Sequence, residues 1–256
     1  MSASGPRILH LTETGSTNAD AMRLALAGEA LPLWVVAESQ MAGKGRAGRT
    51  WASKSGNLHA SLALVSEAPA HQAGELALIA GIALYDAVRA ISPLAETIGI
   101  RLKWPNDLLI GTAKAGGILV ETTVARGEPG FLAVLGFGLN ITSHPDDLGR
   151  AATSLAAKGV STTAGDVLAR LPLRFEDWLG QWDNGRNFAA IRDAWMARAG
   201  AIGEAITVQT VTGPMSGTYQ GLDATGALLA DISGRMRAIT YGDVALIAPT
   251  HKGSGQ

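Results

Sequence analysis

The apolar positions of the chain change period several times, and the changes outline its elements. Ile8 to Leu11 read as a short strand, after which the turn TETGSTN feeds a helix from about Asn18 to Ala27. Thr17, followed three residues later by Asp20, resembles a capping box at its start. Leu33 to Ala37 make one compact apolar strand and Leu58 to Val65 another. Between them Ser39 to Gly56 is rich in glycine and basic residues, has neither helical nor alternating spacing, and is predicted to be a loop. Leu76, Ile79, Ala83, Val88 and Ile91 follow helical spacing after a turn at Pro69, which predicts a buried helix.

Farther on, Arg101 to Trp104, Leu108 to Ile110, Gly117 to Thr122 and Phe131 to Gly138 are strand-like runs separated by PND, GTAK and ARGEPG turns, which suggests an antiparallel meander. Ala164 to Trp182 and Phe188 to Ala199 read as helices, with Pro172 expected to break or kink the first. The texture changes again beyond Gly200. Ala205 to Val211, Ser216 to Leu222, Ala227 to Ile232 and Met236 to Tyr241 are short β runs at even spacing with DATG and DISG turns, which predicts a small barrel. The expected organisation is a main α/β domain over 1–200, a small β domain over 201–250 and a disordered tail over 251–256.

Composition narrows the function classes. The 21 basic and 22 acidic residues nearly cancel, so no overall field draws the chain to nucleic acid or an anionic membrane. The absence of cysteine removes disulfides, thiolate metal sites and thiol nucleophiles together. The N-terminal segment lacks an apolar core of signal-peptide length, and Leu76 to Ile91 is interrupted by Asp86 and Arg89. A soluble, cytoplasmic protein without a membrane partner is expected.

The most informative stretch is Gly43, Lys44, Gly45, Arg46, Ala47, Gly48, Arg49 and Thr50, in which three cations alternate with three glycines. It satisfies G-x-G-x-x-G and approximates a P-loop, but both motifs need a helix opening at once, and TWASKSGN does not offer one. What remains is flexible backbone, amide donors and three cations able to converge on one anion; a solvated surface loop is the plainer alternative. Lys103, Trp104, Pro105, Asn106 and Asp107 gather a cation, a large aromatic, a rigid turn and a carboxylate. A core tryptophan followed by an ordinary turn would look the same. Lys114 is read in a hairpin turn before Ala115, Gly116 and Gly117, where small residues let a ligand approach the backbone. Asn140 ends the apolar strand GFGLN, either as a strand-terminating turn or as an amide aimed into a site.

Read in order, GSTN at 15–18, AESQMAGKGRAGRTW at 37–51, KWPND at 103–107, KAGGILVE at 114–121 and GFGLN at 136–140 resemble the biotin protein ligases in both order and spacing. The resemblance implies an α/β (α+β) mixed-sheet catalytic domain followed by an SH3-like β-barrel. It assigns Ser16, Thr17, Asn18 and Gln40 to the ureido end of biotin, with Gly43, Lys44, Gly45 and Gly117 beside the ligand. Lys44 stands where the family has arginine, which keeps the charge but loses the planar fork. The same resemblance gives Arg46 to retention of the adenylate and Arg49 and Trp51 to the nucleotide. Lys103, Asn106 and Asp107 fall around ATP, Lys114 between the biotin carboxylate and the α-phosphate, and Asn140 beside adenine.

The implied reaction joins biotin to ATP as biotinyl-5'-AMP, then transfers biotin to a lysine of a biotin carboxyl carrier domain of a biotin-dependent carboxylase. Two anions must meet in the first step, so Arg46 and Lys114 are the expected catalytic cations, with Mg2+ on the departing pyrophosphate and Asp107 its candidate ligand. A lipoate ligase and a non-catalytic sensor are the rival readings. Only seven residues precede Ile8, so no DNA-binding domain and no repressor function are expected; a homodimer is plausible by analogy. The glycine loop is expected to close over the adenylate, excluding water. Amide hydrogen exchange at residues 43–50 should therefore slow when biotin and ATP are added; equal rates with and without them would remove the gating expectation.

Overall fold

The structure is a computed structural model, and it describes residues 5–125, 130–146, 151–210 and 213–246. The first half runs β1 (Ile8–Thr14), α1 (Thr17–Leu26), β2 (Leu33–Gln40), β3 (Leu58–Ser66), α2 (Glu75–Arg89), α3 (Pro93–Thr97), β4 (Ile100–Lys103) and β5 (Asp107–Ile110). It continues through β6 (Ala113–Val124), β7 (Phe131–Leu139), α4 (Ala164–Leu168), α5 (Leu171–Trp182) and α6 (Phe188–Met196). The C-terminal part is β8 (Ala205–Thr210), β9 (Gly213–Leu222), β10 (Leu228–Ile232), β11 (Arg235–Ile239) and β12 (Asp243–Leu246).

β1 to β7 form one mixed sheet of seven strands in the order β1-β2-β3-β7-β6-β5-β4. Only β1 and β2 pair in parallel, because α1 carries the chain back between them; the other neighbours are antiparallel, as short turns allow. The period-2 alternation of β3 separates two faces. Leu58, Ala60, Leu62 and Leu64 enter the large core shared with α2 and α5, whereas Ala63 packs beneath α1 with Val35 and Val134. α2 is apolar almost all round, with Leu76, Ile79, Ile82 and Ala83 fully buried between the sheet and the helices α5 and α6. Trp34, Phe137 and Phe175 meet there, Phe175 lying edge-on to both partners at ring-centroid distances of 6.4 and 6.2 Å.

The mixed-sheet expectation holds, and the four-strand meander is antiparallel throughout. Pro172 does interrupt the helical run: α4 stops at Leu168 and Pro172 sits in the first turn of α5, where its missing N–H is harmless. Several local expectations require correction. The cap of α1 is Ser16, whose side chain accepts from the Ala19 amide, while Thr17 is already helical and Asp20 accepts from Thr14. Lys114 lies within strand β6, two residues past the Gly111–Thr112 turn, so its direction is fixed by sheet pleat rather than by a loop.

The C-terminal part is an open antiparallel sheet, β11-β10-β9-β8-β12, and not a closed barrel. Its fifth strand escaped the sequence reading because Asp243–Leu246 is a four-residue run directly behind the turn at Gly242. Ile206, Val208 and Leu228 join the same buried cluster as Leu102 and Trp195, so the small sheet is packed onto the main one. The tail 251–256 lies outside the described residues. Phe175→Ala should lower the urea midpoint by the equivalent of about 3–5 kcal/mol with little change in slope, as expected for an unfilled aromatic site in a packed core.

Candidate functional site

Three glycines make the floor of the site. On the α1 face of the sheet, the paired positions His59, Gly138, Gly117, Asp107 and Lys103 form one row across five strands, and Ser61 with Gly136 begins the next. Where side chains would stand, Gly138 and Gly117 leave room for the Trp51 indole to lie over the strands: a Cβ on Gly138 would come 2.5 Å from that ring. A Cβ on Gly136 would collide with the Asn18 carboxamide. The resulting cavity holds about 620 Å³ including its mouth, a size suited to a small organic ligand.

Its closed end is a polar network. Gln40 Oε1 accepts from the Thr17 amide and hydroxyl at 2.8 and 3.0 Å, and Gln40 Nε2 donates to Ser53 at 3.0 Å. The Ser61 hydroxyl lies 2.7 Å from Thr17 Oγ1 and 2.6 Å from Asn18 Oδ1, and the Asn18 amide donates to Glu121 at 2.7 Å. Ser16, Thr17 and Asn18 are all buried. α1 begins here because Ser16 caps it, so the helix start and the polar wall are built by the same three residues.

The open end is cationic. Gly43 can occupy its place only without a side chain, since a Cβ would stand 2.8 Å from the Trp51 carbonyl. From there the loop makes a single tight turn, with Ala47 and Gly48 at positive φ, and closes through a Lys44–Thr50 bridge. Lys44, Gly45, Arg46, Arg49, Thr50 and Trp51 line the cavity from above. Lys114 lies beneath them, 5.6 Å from the Trp51 ring centre and paired with Asp107.

Asp107 is almost fully buried, which by itself would raise its pKa, but the ammonium groups of Lys114 and Lys103 outweigh that and hold the carboxyl at about 2. One carboxylate oxygen faces each lysine. A magnesium ion would have to displace both cations, so Asp107 does not fit the role of metal ligand, and no cluster of three acidic or histidine residues stands elsewhere among the described residues.

The cavity thus gathers Ser16, Thr17, Asn18, Gln40, Lys44, Gly45, Arg46, Arg49, Trp51, Asn106, Lys114 and Gly117 from four separate sequence segments. Four expected residues do not line it. Gly43 is behind the loop, and Asp107 is beneath Lys114. Lys103 turns away to donate to the Val244 carbonyl at 2.6 Å. Asn140 is spent on structure: its side chain donates to the Thr153 carbonyl at 3.0 Å and its amide to the Ala115 carbonyl at 2.7 Å, pinning the segment that follows β7. Ser61, Glu121 and Ser53 were missed. A buried serine in the apolar run HASLALV was the available signal for Ser61, and Glu121 ends the quoted KAGGILVE segment.

A mixed sheet with a glycine floor carries one cavity that has a buried hydrogen-bonding wall at one end and a cationic glycine loop at the other, an arrangement suited to a small ligand with a polar head and an anionic tail. The chain belongs to the family described as Biotin/lipoate A/B protein ligase family, whose model matches residues 7–140, and the model of the Biotin protein ligase C terminal domain matches residues 201–246. It is 39% identical over 230 residues to a biotin--[acetyl-CoA-carboxylase] ligase of Paracoccus denitrificans, covering 86% of this chain and 92% of that one. A ligase of the same name from Mycobacterium tuberculosis is 36% identical over 241 residues, covering 91% and 86%. The fold is similar to that of a biotin protein ligase from Aquifex aeolicus in complex with biotin and ATP, with a TM-score of 0.76, 23% identity and coverage of 94% and 98%.

Two outcomes follow from the site's electrostatics. Because the Asp107 pKa is depressed, its stabilisation is complete above the ordinary carboxylate value near 4 and is lost as pH falls through about 2. Asp107→Asn should cost about 3 kcal/mol at pH 7 by leaving two lysines uncompensated, and urea midpoints of the two proteins should converge on acidification toward pH 2. Gly136→Ala should abolish ligand binding measured by calorimetry while leaving far-UV circular dichroism intact, since the added methyl displaces Asn18.

Proposed function

We propose that the protein is an ATP-dependent biotin ligase that forms biotinyl-5'-AMP and then acylates one lysine of a biotin carboxyl carrier domain. The observation that carries this reading is the polarity of a single cavity: a buried amide-and-hydroxyl wall at one end and Arg46 with Lys114 at the other. A urea ring presents one carbonyl acceptor and two N–H donors. Ser16, Thr17, Asn18 and Gln40 supply the matching groups in a water-poor pocket, where an unmatched polar group would be costly. The bicycle's apolar edge would rest on the glycine floor against Trp51, and the side-chain carboxylate would extend toward Lys114.

There the chemistry is a meeting of anions. A biotin carboxylate oxygen attacks the α-phosphorus of ATP, the bond to the β-phosphate oxygen breaks, and pyrophosphate leaves. Lys114 and Arg46 offset the repulsion on approach and the charge that builds on the α-phosphate. Lys114 is held for this by Asp107 on one side and the Trp51 face on the other. A magnesium ion, if the reaction uses one, would be held by the nucleotide's phosphates rather than by Asp107, and would supply charge neutralisation to the leaving pyrophosphate. The neutral amine of the carrier lysine then attacks the acyl carbon, the bond from that carbon to the phosphate oxygen breaks, and the amide forms with release of AMP and one amine proton.

A lipoate ligase would use the same cations but has no urea to match the wall formed by Ser16, Thr17, Asn18 and Gln40. Biotin-dependent ATP–pyrophosphate exchange, followed by a mass gain on one lysine of a carrier domain, is the expected result. Exchange with lipoate alone would replace this reading with the other, and biotin binding without exchange would make the protein a sensor. Lys114→Ala should lower the exchange rate about 100-fold or more, while biotin affinity changes far less.

A further inference from the structure

The two arginines of the glycine loop are not aimed into empty space. Arg49 meets Asp243 of β12 with its planar fork, Nη1 at 2.9 Å from Oδ2 and Nη2 at 3.2 Å from Oδ1. Arg46 Nη1 lies 3.3 Å from the same carboxylate, 3.3 Å from the Gly242 carbonyl and 3.4 Å from Asn106 Oδ1. Its guanidinium also sits 5.7 Å from the ring centre of Tyr241. One acidic side chain of the C-terminal sheet therefore bridges two cations that line the cavity.

We propose that Asp243 is a positioning residue for the nucleotide step: its carboxylate occupies the Arg49 fork as an internal stand-in for phosphate, and an arriving phosphate takes its place. The inference rests on the reading of the site as one that binds ATP. A carboxylate and a phosphate offer a guanidinium the same two-oxygen edge, so they compete for the same donors. The strand behind Asp243 is anchored, because β12 pairs with β8 and Lys103 holds the neighbouring Val244 carbonyl at 2.6 Å. The loop, not the sheet, is the partner that moves.

Exposure decides that this pair is exchangeable. The Asp243 and Arg49 side chains are 43% and 44% exposed, so water compensates each on separation. Asp107, by contrast, is sealed between two lysines at 8% exposure and is no candidate for exchange. Of the two carboxylates that face the site's cations, Asp107 fixes Lys114 and Asp243 lends Arg49. Arg46 presents only one nitrogen to Asp243, so it stays oriented toward the cavity by Asn106 and Gly242 while Arg49 changes partner.

The test is a binding cycle on the full chain, with Asp243→Asn, Asp243→Glu, Arg49→Gln and the Asp243→Asn/Arg49→Gln pair. Calorimetry with ATP, and separately with inorganic tripolyphosphate, should show Asp243→Asn binding about fivefold tighter than wild type, the scale of one weak ion pair. Biotin affinity should stay within about twofold, Asp243→Glu should match wild type, and the gain should vanish in the Arg49→Gln background. Without ligand, hydrogen exchange at residues 43–50 should be faster in Asp243→Asn than in wild type. Unchanged or weaker polyphosphate binding by Asp243→Asn, or a gain that persists without Arg49, overturns the proposal. A wild-type protein without biotin-dependent exchange would remove the ligase reading while leaving this cycle decisive.

Discussion

The site depends on one constraint: strands β6 and β7 must carry glycine where the ligand face of the sheet passes under α1 and the basic loop. Gly117, Gly136 and Gly138 leave the backbone bare, so Asn18 and the Trp51 indole can settle directly onto it. Any side chain at these positions would fill the cavity from below. Glycine weakens a strand interior, and here that weakness is offset by pairing on both sides, β7 between β3 and β6, and by the aliphatic and aromatic residues of the opposite face.

On this floor the protein separates two kinds of electrostatics. The side chains that face the cavity in the wall, Ser16, Thr17, Asn18 and Gln40, are uncharged, and the last three are joined by short hydrogen bonds that run through Ser61 and out to the exposed Glu121 carboxylate, which suits recognition of a polar but uncharged head group. The open end concentrates charge, yet keeps it balanced: Lys103 and Lys114 share Asp107, and Arg46 and Arg49 share Asp243. The two balances differ in burial, and therefore in strength. The inner one, sealed from water, fixes the place of Lys114, while the outer one sits at the surface where water and anions can compete for it.

The C-terminal sheet belongs to this arrangement. Tyr241, Gly242, Asp243 and the Val244 carbonyl all reach residues that line or support the cavity. Its apolar face continues the core of the main sheet through Ile206, Val208 and Leu228. A strand of four residues thus brings the loop, the KWPND turn and the small sheet to one place.

By itself the sequence determined most of the elements and most of the residues that line the cavity. Period-2 and helical spacing placed the meander and α2, Pro172 marked the break before α5, and Ser16, Thr17, Asn18, Gln40, Arg46 and Lys114 were legible from motif order before any geometry. Those features are local: spacing, turn residues and charge are written in adjacent positions. What only the tertiary structure decided is direction and partnership. Asn140 turns to the Thr153 carbonyl rather than into the cavity, Asp107 is closed between two lysines, and Asp243 reaches an arginine 194 residues away. The small sheet stays open where even spacing suggested a barrel. Which way a side chain points in a strand, and which distant charge it meets, depends on sheet register and on packing between segments far apart in sequence, and a run of neighbouring residues does not encode either.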